Sequence, residues 1–208
     1  FNMTYLKNKF TMRANINLSE SNSQNSPYGS FSQYTRLNQY YIPTDNEGNQ
    51  KKVIDNNLVS GQSRIITNPM YDATVGIKDV TNSLTIAANL GLEYMILDNL
   101  RITEQLAYTR GMAGTDKFTP ADHTSFELED DLTRKGSYFK SSGNMSSWSS
   151  NMGINYNLVL GKHLISAFGN WTISEDRNDY VNLSATGYPD PHMDEFIFGN
   201  KMESNMSN

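Results

Sequence analysis

The amino-acid sequence predicts an all-β protein, and within that class a segment of a transmembrane antiparallel β-barrel contributing about six strands. Three observations carry the prediction. Apolar and polar residues alternate with a period of two, the period of a strand and not of a helix. The longest run holds its apolar face for about a dozen residues, against ~5–6 for an ordinary strand and ~9–11 for a tilted strand crossing a bilayer. Connections between runs are short and long in turn, as in barrels of the outer membrane.

Taken in order, Phe1, Met3 and Tyr5 share one parity, and 6–9 reads as a short polar turn. Phe10, Met12, Ala14, Ile16 and Leu18 then alternate with Thr11, Arg13, Asn15, Asn17 and Ser19. Alternation fails near Glu20, and 21–81 reads as a loop too long for an ordinary connection, hence functional or partly disordered. The hairpin at 82–109 is the clearest feature of the chain. In it Leu84, Ile86, Ala88, Leu90, Leu92, Tyr94 and Ile96 oppose a mostly polar row of Ser83, Thr85, Ala87, Asn89, Gly91, Glu93 and Met95. After a tight turn at 97–99, Leu100, Ile102, Leu106 and Tyr108 oppose Arg101, Thr103, Gln105 and Thr109. A second long loop is read at 111–147. Trp148, Met152, Ile154, Tyr156 and Leu158 next alternate with Ser149, Asn151, Gly153, Asn155 and Asn157, and a turn at 159–162 leads back through Ile165, Ala167, Trp171 and Ile173. From 176 to 208 the composition is that of a third long loop.

Outer-membrane barrels turn tightly at the periplasm and carry long loops outside the cell. The turns at 6–9, 97–99 and 159–162 are therefore expected at the periplasmic side, with the loops about 21–81, 111–147 and 176–208 outside. Tyr94, Tyr108, Trp148 and Trp171 end apolar rows, as interfacial aromatics do. Glu104 breaks the pattern, a charge on the lipid parity, and a bulge between Ile102 and Leu106 would turn it aside. About six strands leave open edges, and in lipid each unpartnered backbone group costs several kcal/mol. All of 1–208 is accordingly read as part of one barrel domain whose other strands lie elsewhere in a longer protein. The start, Phe1-Asn2-Met3-Thr4-Tyr5, alternates like a strand and lacks the character of a secretory signal.

Composition narrows the function classes. A net charge of −5 argues against nucleic acid as a partner, because a phosphate backbone demands a basic surface. No stretch approaches the ~18 apolar residues of a membrane-spanning helix. The mean hydropathy of −0.59 is no objection to barrel strands, whose alternation dilutes hydropathy. Cysteine is absent, so neither disulfides nor thiolate metal sites arise.

Catalytic spacing is missing as well. No nucleophile elbow or glycine-rich phosphate cradle occurs, and His123, His163 and His192 are scattered and read as structural or solvated. The expectation is a protein that is not an enzyme, with no cofactor and no metal. Glu127, Glu129, Asp130 and Asp131 offer carboxylates of the kind that bind Ca²⁺, but an acidic solvated loop is the preferred reading. Candidate ligand-binding residues fall in two places. Tyr34, Tyr40 and Tyr41 in the first long loop present flat faces for stacking on sugars or peptides. Arg13, Arg101 and Gln105 lie on the polar parity, where they would line the substrate path or contact a plug. Two other classes stay open: a soluble extracellular β-sandwich that binds glycans, and an outer-membrane hydrolase, which would need a Ser-His pair converging at one rim.

Longer motifs add a resemblance. Arg36-Leu37-Asn38-Gln39-Tyr40-Tyr41-Ile42-Pro43 is followed by Asp45-Asn46-Glu47-Gly48, then Asn68-Pro69-Met70-Tyr71-Asp72-Ala73 and Leu92-Glu93-Tyr94. Phe118-Thr119-Pro120-Ala121-Asp122-His123-Thr124, Lys135-Gly136-Ser137-Tyr138, Gly161-Lys162-His163 and Gly187-Tyr188-Pro189 with Met193-Asp194 come next. In this order, over most of the chain from Arg36 on, they resemble the SusC/RagA family of TonB-linked outer-membrane transporters. The resemblance implies a barrel of roughly twenty-two strands around a plug. It further implies import of oligosaccharides (glycans) or peptides across the outer membrane of a Gram-negative bacterium, driven through TonB, with a SusD-like surface lipoprotein as lid and membrane lipid around the barrel. The plug domain, with its contact to TonB, would lie outside this segment.

Overall fold

The computed structural model describes residues 1–59 and 62–207. Among them nine strands form: β1 (Asn2–Lys7), β2 (Phe10–Gln24), β3 (Val53–Val59), β4 (Gln62–Thr67), β5 (Lys78–Leu97), β6 (Leu100–Thr119), β7 (Ser137–Leu160), β8 (His163–Thr186) and β9 (Lys201–Ser207). Seven make a single antiparallel sheet in the order β1-β2-β5-β6-β7-β8-β9, while β3 and β4 form a separate hairpin. Two short helices, α1 (Phe31–Thr35) and α2 (Pro69–Asp72), flank that hairpin. A sandwich needs a second sheet packed on the first. The other sheet among the described residues has two strands, so the sandwich alternative lacks the layer that would cover its apolar face.

Register confirms that the alternation belongs to one surface. Met3, Ala14, Leu90, Leu106, Ser150 and Ile173 stand opposite one another across six strands. The adjacent rung, on the other face, reads Thr4, Arg13, Gly91, Gln105, Asn151 and Thr172. A slip of one residue anywhere would mix the two faces. The tight turns fall at Asn8–Lys9, Asp98–Asn99 and Gly161–Lys162, where Asn8 and Gly161 take left-handed backbone angles of φ 52° and 63° that tight reversal needs.

The borders of the apolar band run obliquely across the sheet. On its lower side Met95 bonds to the carbonyl of Lys9 beside the first turn, and β5 continues to Leu97. Tyr156 pairs with Leu100, and β7 descends further to Leu160 before turning. On its upper side the band ends at Leu18 opposite Ile86 on β2, at Tyr108 on β6, and at Ile173 opposite Ser150 on β8. Both borders step the same way, so the strands are inclined to the band as barrel strands are to a membrane.

The strands outrun the band, and this corrects the sequence reading. β7 and β8 span 24 residues each, well over the ~9–11 a crossing requires. β6 continues to Thr119 and β7 begins at Ser137, so much of 111–147 is strand; likewise β8 runs to Thr186 and β9 returns through Lys201–Ser207 inside 176–208. The excursions that remain are 25–77, 120–136 and 187–200. The reason is physical: above the band one face is covered in places by the chain's own excursions and is open elsewhere, so no uniform difference between the two faces selects an alternating pattern. The seventh strand of the sheet, β9, was hidden for the same reason and pairs only with Tyr180–Thr186.

No bulge turns Glu104 aside. β6 pairs with β7 without a register shift from Leu100 to Thr119, and its pairing with β5 shifts only between Met95 and Leu97. Instead the Ser150 hydroxyl donates to Glu104 Oε1 at 2.6 Å, supplying a partner from the neighbouring strand.

Among the described residues one small core forms, at the loop end of the sheet. Phe118, Tyr138 and Ala185 share a rung and are 0–2 % exposed, and Tyr188 from the third excursion closes over them at 0 %. Its ring meets Phe118 edge-on, with centroids 5.2 Å apart at 74°, a favourable aromatic arrangement. Gly187, at φ 81°, makes the turn that delivers Tyr188. A Cβ there would collide with the Thr133 carbonyl and come within 2.8 Å of Asn200 Cβ.

Candidate functional site

The polar face of the sheet brings the three strand candidates onto one surface. Arg13, Arg101 and Gln105 all have the parity of Glu93, and Glu93 links the two arginines: Arg101 Nη1 lies 3.2 Å from Oε1 and Arg13 Nη1 3.9 Å from Oε2. Each arginine stands diagonally across from Glu93, within reach of a long side chain. Two guanidiniums share one carboxylate, so this stretch keeps a positive excess. Above it a concave trough of about 650 Å³ is lined by Thr4, Arg13, Asn15, Asn89, Gln105 and Asn151, among others. Asn15 Nδ2 donates to Asn2 Oδ1 at its edge. Such a surface offers amide donors and acceptors in a lattice, with one cationic margin.

The loop candidates are not gathered in this way. Tyr34, in α1, donates its hydroxyl to the Tyr28 carbonyl at 2.6 Å and so braces its own loop. Tyr41 lines a separate groove with Arg36, Asn38 and Arg64. Tyr40 stands 81 % exposed. Three tyrosines close in sequence thus take three different environments.

Sequence reasoning missed the contacts that join the loops. Asp72, at the end of α2 and 8 % exposed, accepts from the Thr124 backbone N–H at 2.9 Å and from its hydroxyl at 2.7 Å. Lys52 pairs with Glu127 at 2.8 Å, again between the first and second excursions. Asn68 is buried because it caps α2 through Met70 N while its amide donates to Pro43 O and Gln50 Oε1. Its motif, Asn68-Pro69-Met70-Tyr71-Asp72, was visible; that it serves as a clasp was not, since Asp72's partner is 52 residues away.

Beneath this clasp lies a polar cavity of about 350 Å³, lined by Asp72, Asp79, Lys117, His123 and Ser125 among others. Lys117 and Asp79 pair across it at 3.3 Å. His123 Nδ1 is 2.9 Å from Ser125 Oγ and its Nε2 is 3.6 Å from Asp72 Oδ2. This has the order of a Ser-His-Asp relay, yet Nδ1 already accepts the Ser125 backbone N–H at 3.0 Å. The ring therefore serves as the cap of the turn at Thr124–Phe126, with its basic lone pair committed. Burial holds the imidazole below its ordinary range, with Lys117 and Lys52 acting in the same direction and Asp72 opposing.

The acidic run at 127–131 diverges. Glu127 faces Lys52, Glu129 faces Arg134 at 3.5 Å, and Asp131 accepts from Thr133 N and Oγ1 at 2.9 and 2.6 Å. Those two hydrogen bonds hold the Asp131 carboxyl below the usual range. Carboxylates aimed at separate partners do not assemble an oxygen cage.

No protein-family model matches the chain, and no curated protein matches it. Solved structures do. A structure of the RagAB peptide transporter aligns at 16 % identity with a TM-score of 0.71, covering 99 % of this chain and 24 % of that one. The RagAB peptide importer aligns in its 'closed-closed' state at 15 % identity and TM-score 0.72, and in its 'open-open' state at 15 % and 0.70, with the same coverage. The chain thus spans about a quarter of the length of these chains. At such identities the likeness is one of fold: the sheet is folded as a segment of a β-barrel transporter, and the SusC/RagA resemblance holds at that level.

Proposed function

We propose that this chain is part of the barrel of a SusC/RagA-type, TonB-dependent importer of the outer membrane, passing peptides or oligosaccharides and carrying no catalytic residues of its own. The observation that carries this reading is the division of one continuous sheet into an apolar face and a polar face bearing Arg13, Glu93, Arg101 and Gln105. The neighbours of like fold are named as peptide transporters, which favours peptides over glycans. The trough is suited to the same cargo, since alternating amide donors and acceptors pair with a peptide backbone and the arginines with its carboxylates.

At the other end, the excursions leave Phe31, Tyr40, Leu128, Leu132 and Ile197 each more than 70 % exposed. These exposed apolar side chains lie on all three excursions, and a SusD-like lipoprotein lid is the partner proposed to cover them. The clasp formed by Asp72 and Thr124 would hold that surface in shape. Tyr40, free of the loop's own packing, and Tyr41 are the ring-bearing residues proposed to meet cargo there, with Tyr34 in support.

Growth of cells carrying the full-length gene or a deletion, on defined peptides or on oligosaccharides as sole nutrient, tests the proposal. Loss of growth on one nutrient class in the deletion strain, reproduced by removing TonB, is expected. Unimpaired uptake of both classes would refute it.

A further inference from the structure

The face that bears the apolar band turns charged just above the band's oblique upper border. Up to the rung of Tyr108 and Trp148 it carries no charge on β2, β5, β6 or β7 apart from Glu104, and on β8 Glu175 stands opposite Trp148 at that rung. One rung higher, Arg110 on β6 and Arg177 on β8 project on that same face, each opposite Ser146 of β7. Two strand spacings separate their backbones by about 10 Å, and both side chains are exposed. Among the described residues the arginine ion pairs are those of Arg13, Arg101, Arg134 and Arg177, so Arg110 has no acidic partner. Arg177 directs Nε to Asp179 at 3.2 Å, leaving its terminal nitrogens to donate elsewhere. The other nearby acid, Glu175, accepts from Trp148 Nε1 at 3.0 Å.

A cation facing hydrocarbon costs about 2–4 kcal/mol at mid-depth and about 0–1 at the interface, so Arg110, the next residue of that face above the band on β6, and Arg177, which stands past Glu175 above the band on β8, belong among headgroups. Aromatics one rung below fit that level. A guanidinium is a planar fork that matches a phosphate with two parallel hydrogen bonds. We propose that Arg110 and Arg177, with the Ser146 hydroxyl between them, form a binding site for the phosphate of a phosphorylated glycolipid of the outer leaflet. This rests on the barrel reading above, which puts the long excursions, and hence this rung, on the outer side.

The test uses the full-length protein reconstituted in nanodiscs containing bisphosphorylated lipid A or its dephosphorylated form, with retained lipid read by native mass spectrometry. Replacing both residues, Arg110→Gln with Arg177→Gln, should lower retention of phosphorylated lipid A roughly ten-fold or more. Dephosphorylated lipid should bind wild type and variant alike, and the pair Arg110→Lys with Arg177→Lys should keep part of the retention. Unchanged retention in the glutamine variant, or the same loss with dephosphorylated lipid, overturns the proposal. Equal affinity for inorganic phosphate and lipid A would assign the site to free phosphate and overturn it as well. Heat-modifiable electrophoretic mobility of the same samples separates the two readings. A wild type that forms no closed barrel fails the functional reading itself, whereas a closed barrel with unchanged retention fails this inference alone.

Discussion

The turn end and the loop end of the long strands are held by different means. Near the turns, large apolar side chains lie bare on one face: Leu160 is 54 % exposed, Tyr94 52 % and Ile165 48 %. At the loop end Phe118, Tyr138, Ala185 and Tyr188 are buried to 2 % or less. β6 and β7 belong to both regions, contributing Leu106 and Met152 to the first and Phe118 and Tyr138 to the second. Burial of apolar area stabilises by about 25 cal/mol per Å², and at the loop end the chain supplies that burial from its own excursions. At the turn end the described excursions supply none, and the proposed function assigns that burial to lipid. One strand can therefore be specified by two environments, and the sequence pattern changes where the environment does.

A charge in the band is the sharpest way to break this contrast. Leu90→Arg should destabilise the reconstituted protein by about 2–4 kcal/mol, while Asn89→Arg, on the opposite face, should cost less than about 1 kcal/mol; urea unfolding in vesicles measures both. Similar costs would mean that the two faces do not meet different solvents. Spin labels at Leu90 and Asn89 sharpen the same point, with lipid-soluble oxygen relaxing the first and an aqueous quencher the second.

At the loop end, Gly187→Ala should cost about 1–3 kcal/mol through its left-handed backbone and the lost room beside Thr133. The loss should appear as faster hydrogen exchange in 120–136 and 187–200 with the band unaffected. Arg101→Ala removes an exposed ion pair worth less than about 1 kcal/mol, so folding should persist while uptake rate changes. A failure to fold would sink its placement on the lumen side.

The smallest effect is that of pH on the clasp. The folded state holds His123 below its ordinary value of 6.5, so the unfolded loop binds the extra proton and stability rises with pH. The clasp is at full strength above that value and weakens as pH falls below it. Limited proteolysis at 120–136 should accelerate on mild acidification, and His123→Gln should flatten that dependence.

The band was legible because alternation over many residues is hard to produce otherwise. Leu84 through Ile96 fixed a strand, its face and its partner run, and Arg13, Arg101 and Gln105 reached the polar surface by parity alone. Above the band that logic stops. Thr115, Asp116 and Lys117 are polar on either parity, and nothing in them announces a strand. Contacts between excursions were equally hidden, since Asp72 with Thr124 and Lys52 with Glu127 depend on loops meeting in space. The tyrosines show the limit from the other side: aromatic content marked a region, but Tyr34 braces its own loop through Tyr28.

The oblique band has a practical corollary. Residues paired across strands do not share a depth, because a line of constant immersion cuts diagonally through the hydrogen-bond ladder. Leu18 and Ile173 both sit at the upper shoreline, yet their rungs are offset, Leu18 facing Ile86 and Ile173 facing Ser150, whose other partner Leu106 is opposite Leu90. Depth profiles by fluorescence quenching should therefore be plotted along that diagonal, where a single contour emerges, and not rung by rung, where the same data would scatter.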